Sequence, residues 1–444
     1  MVHIFKQLGQ RIAVDVGSGA VHVLSPQAYE LLDFTIANNL EMTKAPPKLQ
    51  TVYPPESIHE AWNALYALYK SGELFARDGG ASLTLPTDTP LKALCLHVAH
   101  DCNLRCEYCF AETGGFGGAR GIMDTSTAIA AIDYLVSRSG KRRNLEVDFF
   151  GGEPLMAFET VKNTVKYARG LEKAHGKNFR FTITTNGVLL DNESIAFINA
   201  EMSNVVLSLD GRRAIHDELR PTINGRGSYD IIVPKYRALL AERRTDWFVR
   251  GTFTAKNPAF VDNLLHIADL GFPNISIEPV VLPDGHKLAL RDEQLPIIEG
   301  EYERLAAIMA ERDDFTFFHF AVDLNQGPCI YKRLRGCGAG FEYAAVTPDG
   351  GVYPCHQFAE KPEYLMGNVK TGGFDPEISR KFASAHVQTR QKCSQCWAKY
   401  YCSGGCSAAN LNTNGDIDAT YEMGCRLEKK RLECAIALQA VRSA

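Results

Sequence analysis

Through the middle of the chain, apolar runs of strand length alternate six times with amphipathic runs of helix length. No other feature restricts the fold as much. Strands are expected near Leu91–Val98, Leu145–Phe150, Phe179–Thr185, Val205–Leu209, Phe248–Thr254 and Ile275–Val281. Helices are expected near Thr125–Val136, Phe158–Leu171, Glu193–Ala200, Tyr229–Arg243, Phe260–Leu270 and Glu293–Ala310. Val161, Val165 and Ala168 show the i, i+4, i+7 stripe of a helix packed on one face, as do Ile232, Tyr236 and Leu239. Strands that alternate with helices make a parallel sheet covered by helices, because parallel neighbours need a long crossover. Chemistry in such sheets sits at the C-terminal ends of the strands.

The first strand runs directly into CNLRCEYCF, which puts Cys102, Cys106 and Cys109 in that place with spacing Cys-x3-Cys-x2-Cys. Three thiolates this close can converge on one soft metal centre. Structural zinc, which takes four ligands and most often two pairs, is the competing reading, together with unrelated core thiols. Three close cysteines with no local fourth suggest a 4Fe–4S cluster with one iron left open for a substrate or cofactor. Tyr108 sets an aromatic beside the last ligand. With it, the stretch resembles the signature of the radical S-adenosylmethionine (SAM) enzymes. The fold this resemblance implies is a partial (β/α)6 barrel, which six units rather than eight suit.

Cysteine usage agrees with metal binding. The chain has thirteen cysteines, an odd number that argues against a fully paired disulfide framework. The N-terminal MVHIFKQLGQR has no apolar h-region, so a reducing, cytoplasmic location is expected. At 444 residues, 45% hydrophobic and 23% charged, the chain has room for two or three ordinary domains. A net charge of -4 gives no reason to expect nucleic acid as a partner. No apolar run reaches the length of a membrane span, so no membrane partner is expected.

The other strand ends carry groups suited to a small charged ligand. After the second strand stands Gly151–Gly152–Glu153–Pro154. Glycines let backbone approach a ligand closely, and a carboxylate suits an ammonium. The third strand ends at Thr185, Asn186 and Gly187, the fourth at Ser208 and Asp210. In radical SAM enzymes the first of these motifs holds the methionine amino group. The others resemble the positions that contact the sulfonium, ribose and carboxylate of the cofactor. Arg220 could pair bidentately with that carboxylate. Arg250 and Glu278, on strands five and six, read equally as ligand contacts or as a buried structural pair. Cys95, inside the first strand, reads as a small core residue.

From about Asp313 the repeat stops and cysteines crowd in. Two spacings are informative: Cys337-x12-Gly350-x4-Cys355, and Cys393-x2-Cys396-x5-Cys402-x3-Cys406 followed by Cys425. Cys393-x2-Cys396 alone would fit a zinc ribbon. Together the seven resemble the SPASM extension of many peptide-modifying radical SAM enzymes. That resemblance implies that Cys393, Cys396, Cys402 and Cys425 hold auxiliary cluster II. It assigns Cys337, Cys355 and Cys406 to auxiliary cluster I, with the fourth position open to substrate or closed by Cys329. Three 4Fe–4S clusters and SAM are the cofactors implied. Cys434, in the last helix, reads as core.

Ahead of the repeats, VHIFK, RIAVDV and AVHVL read as strands, with turns at Gly9 and Gly17–Ser18–Gly19. A helix is expected to start at Ser25–Pro26 and a second near Glu56. The region resembles the winged-helix peptide-recognition element of enzymes that modify ribosomal peptides; a packing or dimerisation role is the alternative. The expected organisation is thus a recognition domain at 1–75, a linker at 76–90, the barrel at 91–312 and the SPASM domain at 313–444.

KALCLHVAHDCNLRCEYCFAETG, NLEVDFFGGEPLM, FRFTITTNGVLL, VRGTFT, VYPCHQF and KYYCSGGC together resemble the maturases of SCIFF peptides (six cysteines in forty-five residues). In that family, substrate cysteines are joined to a threonine carbon, giving sactipeptide or ranthipeptide thioethers. The resemblance implies a Cys-rich precursor peptide whose leader the N-terminal domain binds, and a flavodoxin- or ferredoxin-type electron donor. Formylglycine formation and carbon–carbon crosslinking are alternative activities. A multi-cluster electron carrier is the non-enzyme alternative.

Overall fold

The computed structural model describes residues 1–48, 52–283, 285–324, 330–372 and 374–443. The six expected strand–helix units are present. Their strands are β4 (Ala93–His100), β6 (Asn144–Gly151), β7 (Asn178–Thr185), β8 (Asn204–Ser208), β9 (Asp246–Phe253) and β10 (Asn274–Pro279). They lie side by side in chain order and parallel throughout. Helices α3 (Thr125–Arg138), α4 (Phe158–His175), α5 (Asn192–Glu201), α7 (Tyr229–Ala241), α8 (Val261–Asp269) and α9 (Leu295–Glu311) complete the units. Two elements were not expected: a short β5 (Gly121–Ile122) antiparallel to β4, and α6 (Arg213–Leu219) between β8 and α7.

The strands alternate faces along their length. One face carries Leu94, Leu96, Val147, Phe149, Phe181, Ile183, Val205, Leu207, Val249 and Ile275, all fully buried against helix residues such as Ile132, Val161, Ile232 and Leu264. The opposite face carries Cys95, His97, Asp148, Phe150, Thr182, Ser208, Arg250, Thr252 and Glu278. One apolar and one polar face, with helices on the apolar side, is the arrangement of a partial (β/α)6 barrel with a polar lumen.

The sheet does not end with the sixth unit. β11 (Thr316–Phe317) adds beside β10. On the other side β12 (Tyr343–Val346) adds parallel to β4, followed by antiparallel β13 (Gly351–Tyr353) and β14 (Gly367–Asn368). One sheet therefore crosses the boundary expected at 312/313. Pairing β12 covers the edge of β4 that would otherwise leave unpaired backbone groups. Six helices complete the C-terminal region: α10 (Ile330–Arg335), α11 (Pro376–Ser384), α12 (Gln391–Ser394), α13 (Lys399–Cys402), α14 (Ser407–Asn414) and α15 (Glu422–Arg442). Cys434 of α15 is fully buried.

The N-terminal unit is a separate three-stranded antiparallel sheet of β1 (Val2–Gln7), β2 (Gln10–Asp15) and β3 (Val21–Val23) with α1 (Pro26–Ala37) and α2 (Pro55–Ser71). Leu8 and Gly9 both have positive φ, which suits the twist of a two-residue hairpin. Ser25 caps α1 by accepting from Ala28 N, and Pro26 starts it. Ala13 faces Leu31, Leu32, Trp62 and Leu65 of the two helices. Phe5, Ile12 and Val14 face the other way and pack on Ile436 and Ala437 of α15. The sheet is thus buried on both faces, while β3 pairs with a strand on one side only among the described residues.

Candidate metal centres and cofactor site

The triplet loop hangs from the end of β4. Asp101 Oδ1 accepts from Cys102 N at 2.8 Å, and Leu104 N points at Cys102 Sγ at 3.4 Å. Arg105 ties the loop by donating to the carbonyls of Cys102 and Leu104. A second segment backs it: Arg105 N donates to Pro221 O and Glu107 N to Leu219 O.

Gly151 and Gly152 lie against this loop. A side chain on Gly152 would stand 2.1 Å from Asp101 O, and one on Gly151, with φ +128°, 2.2 Å from Ala99 O. The glycines thus serve a close approach of the chain to itself, with Gly152 N donating to Ala99 O and Glu153 N to Asp101 O. Pro154 starts a short buried turn at Pro154–Ala157. Glu153 is fully buried and accepts from Leu155 N at 3.0 Å, Thr185 Oγ1 at 2.8 Å and Asn186 N at 2.8 Å. Burial pushes its carboxyl up to about 7, against the pull of those donors. Its side chain therefore pins the end of β7 to the end of β6. Asn186 in turn donates to Asn103 Oδ1 at 2.7 Å and reaches Cys102 Sγ at 3.7 Å. Asn103 Nδ2 is buried without a partner, a free donor beside the triplet.

Asp210 and Arg220 meet each other. Arg220 Nε and Nη2 donate to the two Asp210 oxygens at 2.9 and 3.1 Å. Tyr108 Oη also donates to Asp210, at 2.6 Å. The fork expected for a cofactor carboxylate is thus already engaged by Asp210. Ser208 stays half-buried on the polar face, and its carbonyl accepts from Tyr236 Oη. Arg250 and Glu278 form an ion pair with His319 beside it. Burial raises the Glu278 carboxyl, but Arg250, His319 and Arg431 outweigh it and leave it below its ordinary value.

The C-terminal cysteines form two groups. Cys393, Cys396, Cys402 and Cys425 line one cavity of about 490 Å³, which Cys406, Glu278 and Arg431 also reach. Cys337, Cys355 and Cys406 are electrostatic neighbours of one another. Cys329 lies outside the described residues. Burial pushes the thiols of Cys102, Cys106 and Cys402 up to about 12 and Cys425 to about 11. Buried thiols become ligands when a cationic centre replaces their protons, and all-sulfur sets suit soft metals. The all-cysteine donor sets fit iron–sulfur clusters.

His97, His100 and Phe116 were not anticipated. His97 Nδ1 and His100 Nε2 are 3.0 Å apart, and His97 Nε2 is buried without a partner. Phe116 packs on both rings. His356, next to Cys355, packs on Phe150 and Phe110. Burial pushes the His100 and His356 imidazoles down to about 4. Cys95 pairs in register with Asp148 on the polar face, so it faces the lumen. The two-residue period of β4 would have placed both Cys95 and His97 there.

Comparison with known proteins matches residues 96–285 to the Radical SAM superfamily and residues 337–397 to the SPASM iron-sulfur cluster-binding domain. The chain carries a radical SAM domain and a SPASM domain. The radical SAM match spans the triplet and the ends of β4 to β10, and the SPASM match starts at Cys337. The mycofactocin maturase MftC of Mycolicibacterium smegmatis is 27% identical over 342 residues, 74% of this chain and 81% of its own length. The serine-type anaerobic sulfatase-maturating enzyme of Klebsiella aerogenes is 23% identical over 347 residues, 74% of this chain and 82% of its own. In fold, the radical SAM–SPASM chain is similar to native anSMEcpe with bound AdoMet and Cp18Cys peptide, with TM-score 0.65, 18% identity, and coverage of 80% of this chain and 100% of that one. It is also similar to Streptococcus suis SuiB bound to precursor peptide SuiA, with TM-score 0.55, 14% identity, and coverage of 94% and 97%. Among the described residues no helix is long and apolar enough to cross a membrane.

Proposed function

We propose that this chain installs cysteine-to-threonine, sulfur-to-carbon thioether crosslinks in a ribosomally made, Cys-rich precursor peptide. The observation that carries the reading is that residues adjoining two cysteine sets pack against each other. Phe110 follows Cys109 and His356 follows Cys355, and their rings pack 5.5 Å apart. A thioether needs a hydrogen acceptor for the carbon and an electron sink near the sulfur, both within reach of one substrate loop. When bound, a reduced 4Fe–4S cluster and SAM supply a 5′-deoxyadenosyl radical that removes a hydrogen atom from an unactivated carbon.

The chain's own residues position the parts. Cys102, Cys106 and Cys109 hold the radical cluster on a loop clamped by Gly152 and by residues 219–222. Asn103, Asn186, Thr185, Ser208 and the backbone at Gly151–Glu153 surround the cofactor space. Phe110, Phe150 and His356 form an aromatic wall beside it. Cys393, Cys396, Cys402 and Cys425 hold auxiliary cluster II. Cys337, Cys355 and Cys406 hold auxiliary cluster I, whose fourth position receives a peptide thiol. The leader adds to the free edge of β3, a mode in which main-chain hydrogen bonds supply affinity. The single electron comes from a flavodoxin- or ferredoxin-type donor.

Formylglycine formation is the second reading, favoured by the likeness to the sulfatase-maturating enzymes. One experiment separates the two. The reduced protein is incubated with SAM and a Cys-rich peptide that also carries threonines. A thioether removes two hydrogens, about 2 Da per crosslink, and leaves the cysteine resistant to alkylation. Formation of 5′-deoxyadenosine with an aldehyde in the peptide, and no protected cysteine, would overturn the thioether reading.

A further inference from the structure

Residues 219–222 run antiparallel beside residues 104–107. Leu104 bridges to Thr222, Arg105 N donates to Pro221 O at 2.8 Å, and Glu107 N donates to Leu219 O at 3.1 Å. That register sets Arg220 opposite Cys106. Arg220 cannot swing away. Its side chain is 12% exposed, two of its nitrogens are held by Asp210, and its guanidinium lies 5.3 Å over the Tyr108 ring. Asp210 is itself fixed, accepting from Tyr108 Oη at 2.6 Å and from Thr252 N at 2.9 Å, and its side chain has no exposed surface. Four bonds complete the capacity of that carboxylate. Strands β8 and β9, the segment after α6 and the triplet loop are thus joined through one buried ion pair.

We propose that Arg220 is a fixed cation that sets the reduction potential of the cluster held by Cys102, Cys106 and Cys109, and that Asp210 both positions it and opposes it. The inference rests on the reading of the triplet as a cluster site. Reduction adds one electron, taken from a low-potential chemical reductant, and makes or breaks no bond. The reduced cluster carries one more negative charge, which a neighbouring cation stabilises in a medium of low dielectric constant. The two side chains do not cancel at the cluster. Arg220 stands directly opposite Cys106 in the antiparallel pairing, whereas Asp210 meets the loop at the hydroxyl end of the Tyr108 side chain. Charge and polarity around the cluster are recognised levers on the potential of a protein-bound iron–sulfur centre.

The test is a potentiometric titration of the loaded full-length protein, followed by electron paramagnetic resonance. The signal followed is the one removed by joint Cys102→Ala, Cys106→Ala and Cys109→Ala replacement. Arg220→Gln is expected to move the midpoint to more negative potential by at least a tenfold change in the reduction equilibrium, about 59 mV for one electron. Arg220→Lys keeps the charge and stays within that interval. Asp210→Asn moves the midpoint to more positive potential. A merely structural role does not produce shifts of opposite sign. An unmoved midpoint in Arg220→Gln with full iron content overturns the proposal, as do shifts of the same sign in Arg220→Gln and Asp210→Asn. If Arg220→Gln loses the cluster, Asp210→Asn decides, and a negative or absent shift there overturns it. Loss of the cluster in both assigns the pair a purely structural role and also overturns it. Absence of the signal from the native protein would instead remove the cluster from the triplet, a distinct failure.

Discussion

The Phe110 and His356 rings lie 5.5 Å apart although 246 positions separate them, and each side chain directly follows a cysteine, Cys109 and Cys355. The radical SAM domain and the SPASM domain therefore meet at one aromatic wall. β12, which leads toward Cys355, makes this contact by pairing with β4, which leads into Cys102. Shared strand register holds the two sites together more rigidly than a loop contact would.

Joint replacement of Cys102, Cys106 and Cys109 by alanine is expected to abolish SAM cleavage. The two auxiliary clusters should remain, because their ligands come from a different part of the chain. Iron content and 5′-deoxyadenosine are the two measurements. Undiminished 5′-deoxyadenosine would sink the assignment of the triplet.

Gly152→Ala tests the packing under the loop. The added carbon would stand 2.1 Å from Asp101 O and 3.0 Å from the Gly114 Cα, both backbone atoms with little freedom to yield. Overpacking of this kind costs about 1–3 kcal/mol. A lower melting temperature and at least a tenfold loss of SAM cleavage are expected. An unaffected variant would show that the loop tolerates displacement.

Glu153 predicts a pH effect. Its carboxyl moves from 4.5 in the unfolded chain to about 7 in the fold, burial being the cause. Between those values the folded chain holds a proton that the unfolded chain has released. Stability therefore falls as pH rises through that window, by roughly 3 kcal/mol. Denaturant unfolding of the SAM-free protein from pH 4.5 to 8, compared with Glu153→Gln, should show this loss in the native chain alone. A native stability that rises relative to the variant over that range would contradict it.

The β3 edge has its own test. Leu24 N donates to Arg11 O, so the N–H of the preceding Val23 points away from β2. Val23→Pro removes that donor without breaking the sheet. Peptide affinity is expected to drop tenfold or more, with SAM cleavage in the absence of peptide unaffected. Removing residues 1–75 outright is a poorer test, since it would strip Phe5, Ile12 and Val14 from α15. An unchanged peptide dissociation constant for Val23→Pro would favour a packing role for this unit.

Cys329→Ala addresses auxiliary cluster I. If a peptide thiol takes the fourth position, the variant should keep roughly twelve irons per chain, the content of three four-iron clusters. Peptide should then perturb the cluster spectrum, and a Cys-to-Ser peptide should not. Loss of one whole cluster would make Cys329 the ligand.

Local pattern alone revealed much of this. The apolar alternation placed all six barrel strands within about two residues, because a strand buried on one face has to repeat every second residue. Cysteine spacing singled out the triplet as a candidate site, because ligands from one short loop must be near in sequence, whereas the sorting of the later cysteines into two sets came from resemblance. α6 escaped, since seven residues are too few to show a helical stripe. Cys95 was read as core and is buried, and alternation sets it on the face it shares with Asp148.

By itself, the sequence determined the order of strands and helices and where along the chain the cysteine-rich stretches fall. These follow from periods and spacings within a few turns of chain. The tertiary structure decided which groups remain free for a ligand. Glu153 is engaged by Thr185 and Asn186, and Arg220 by Asp210. Gly152 is required by Asp101, and His356 meets Phe110 across the two domains. Each of these depends on which side chains the crossovers bring to one strand end, and a donor or charge is available only when no neighbour has already satisfied it.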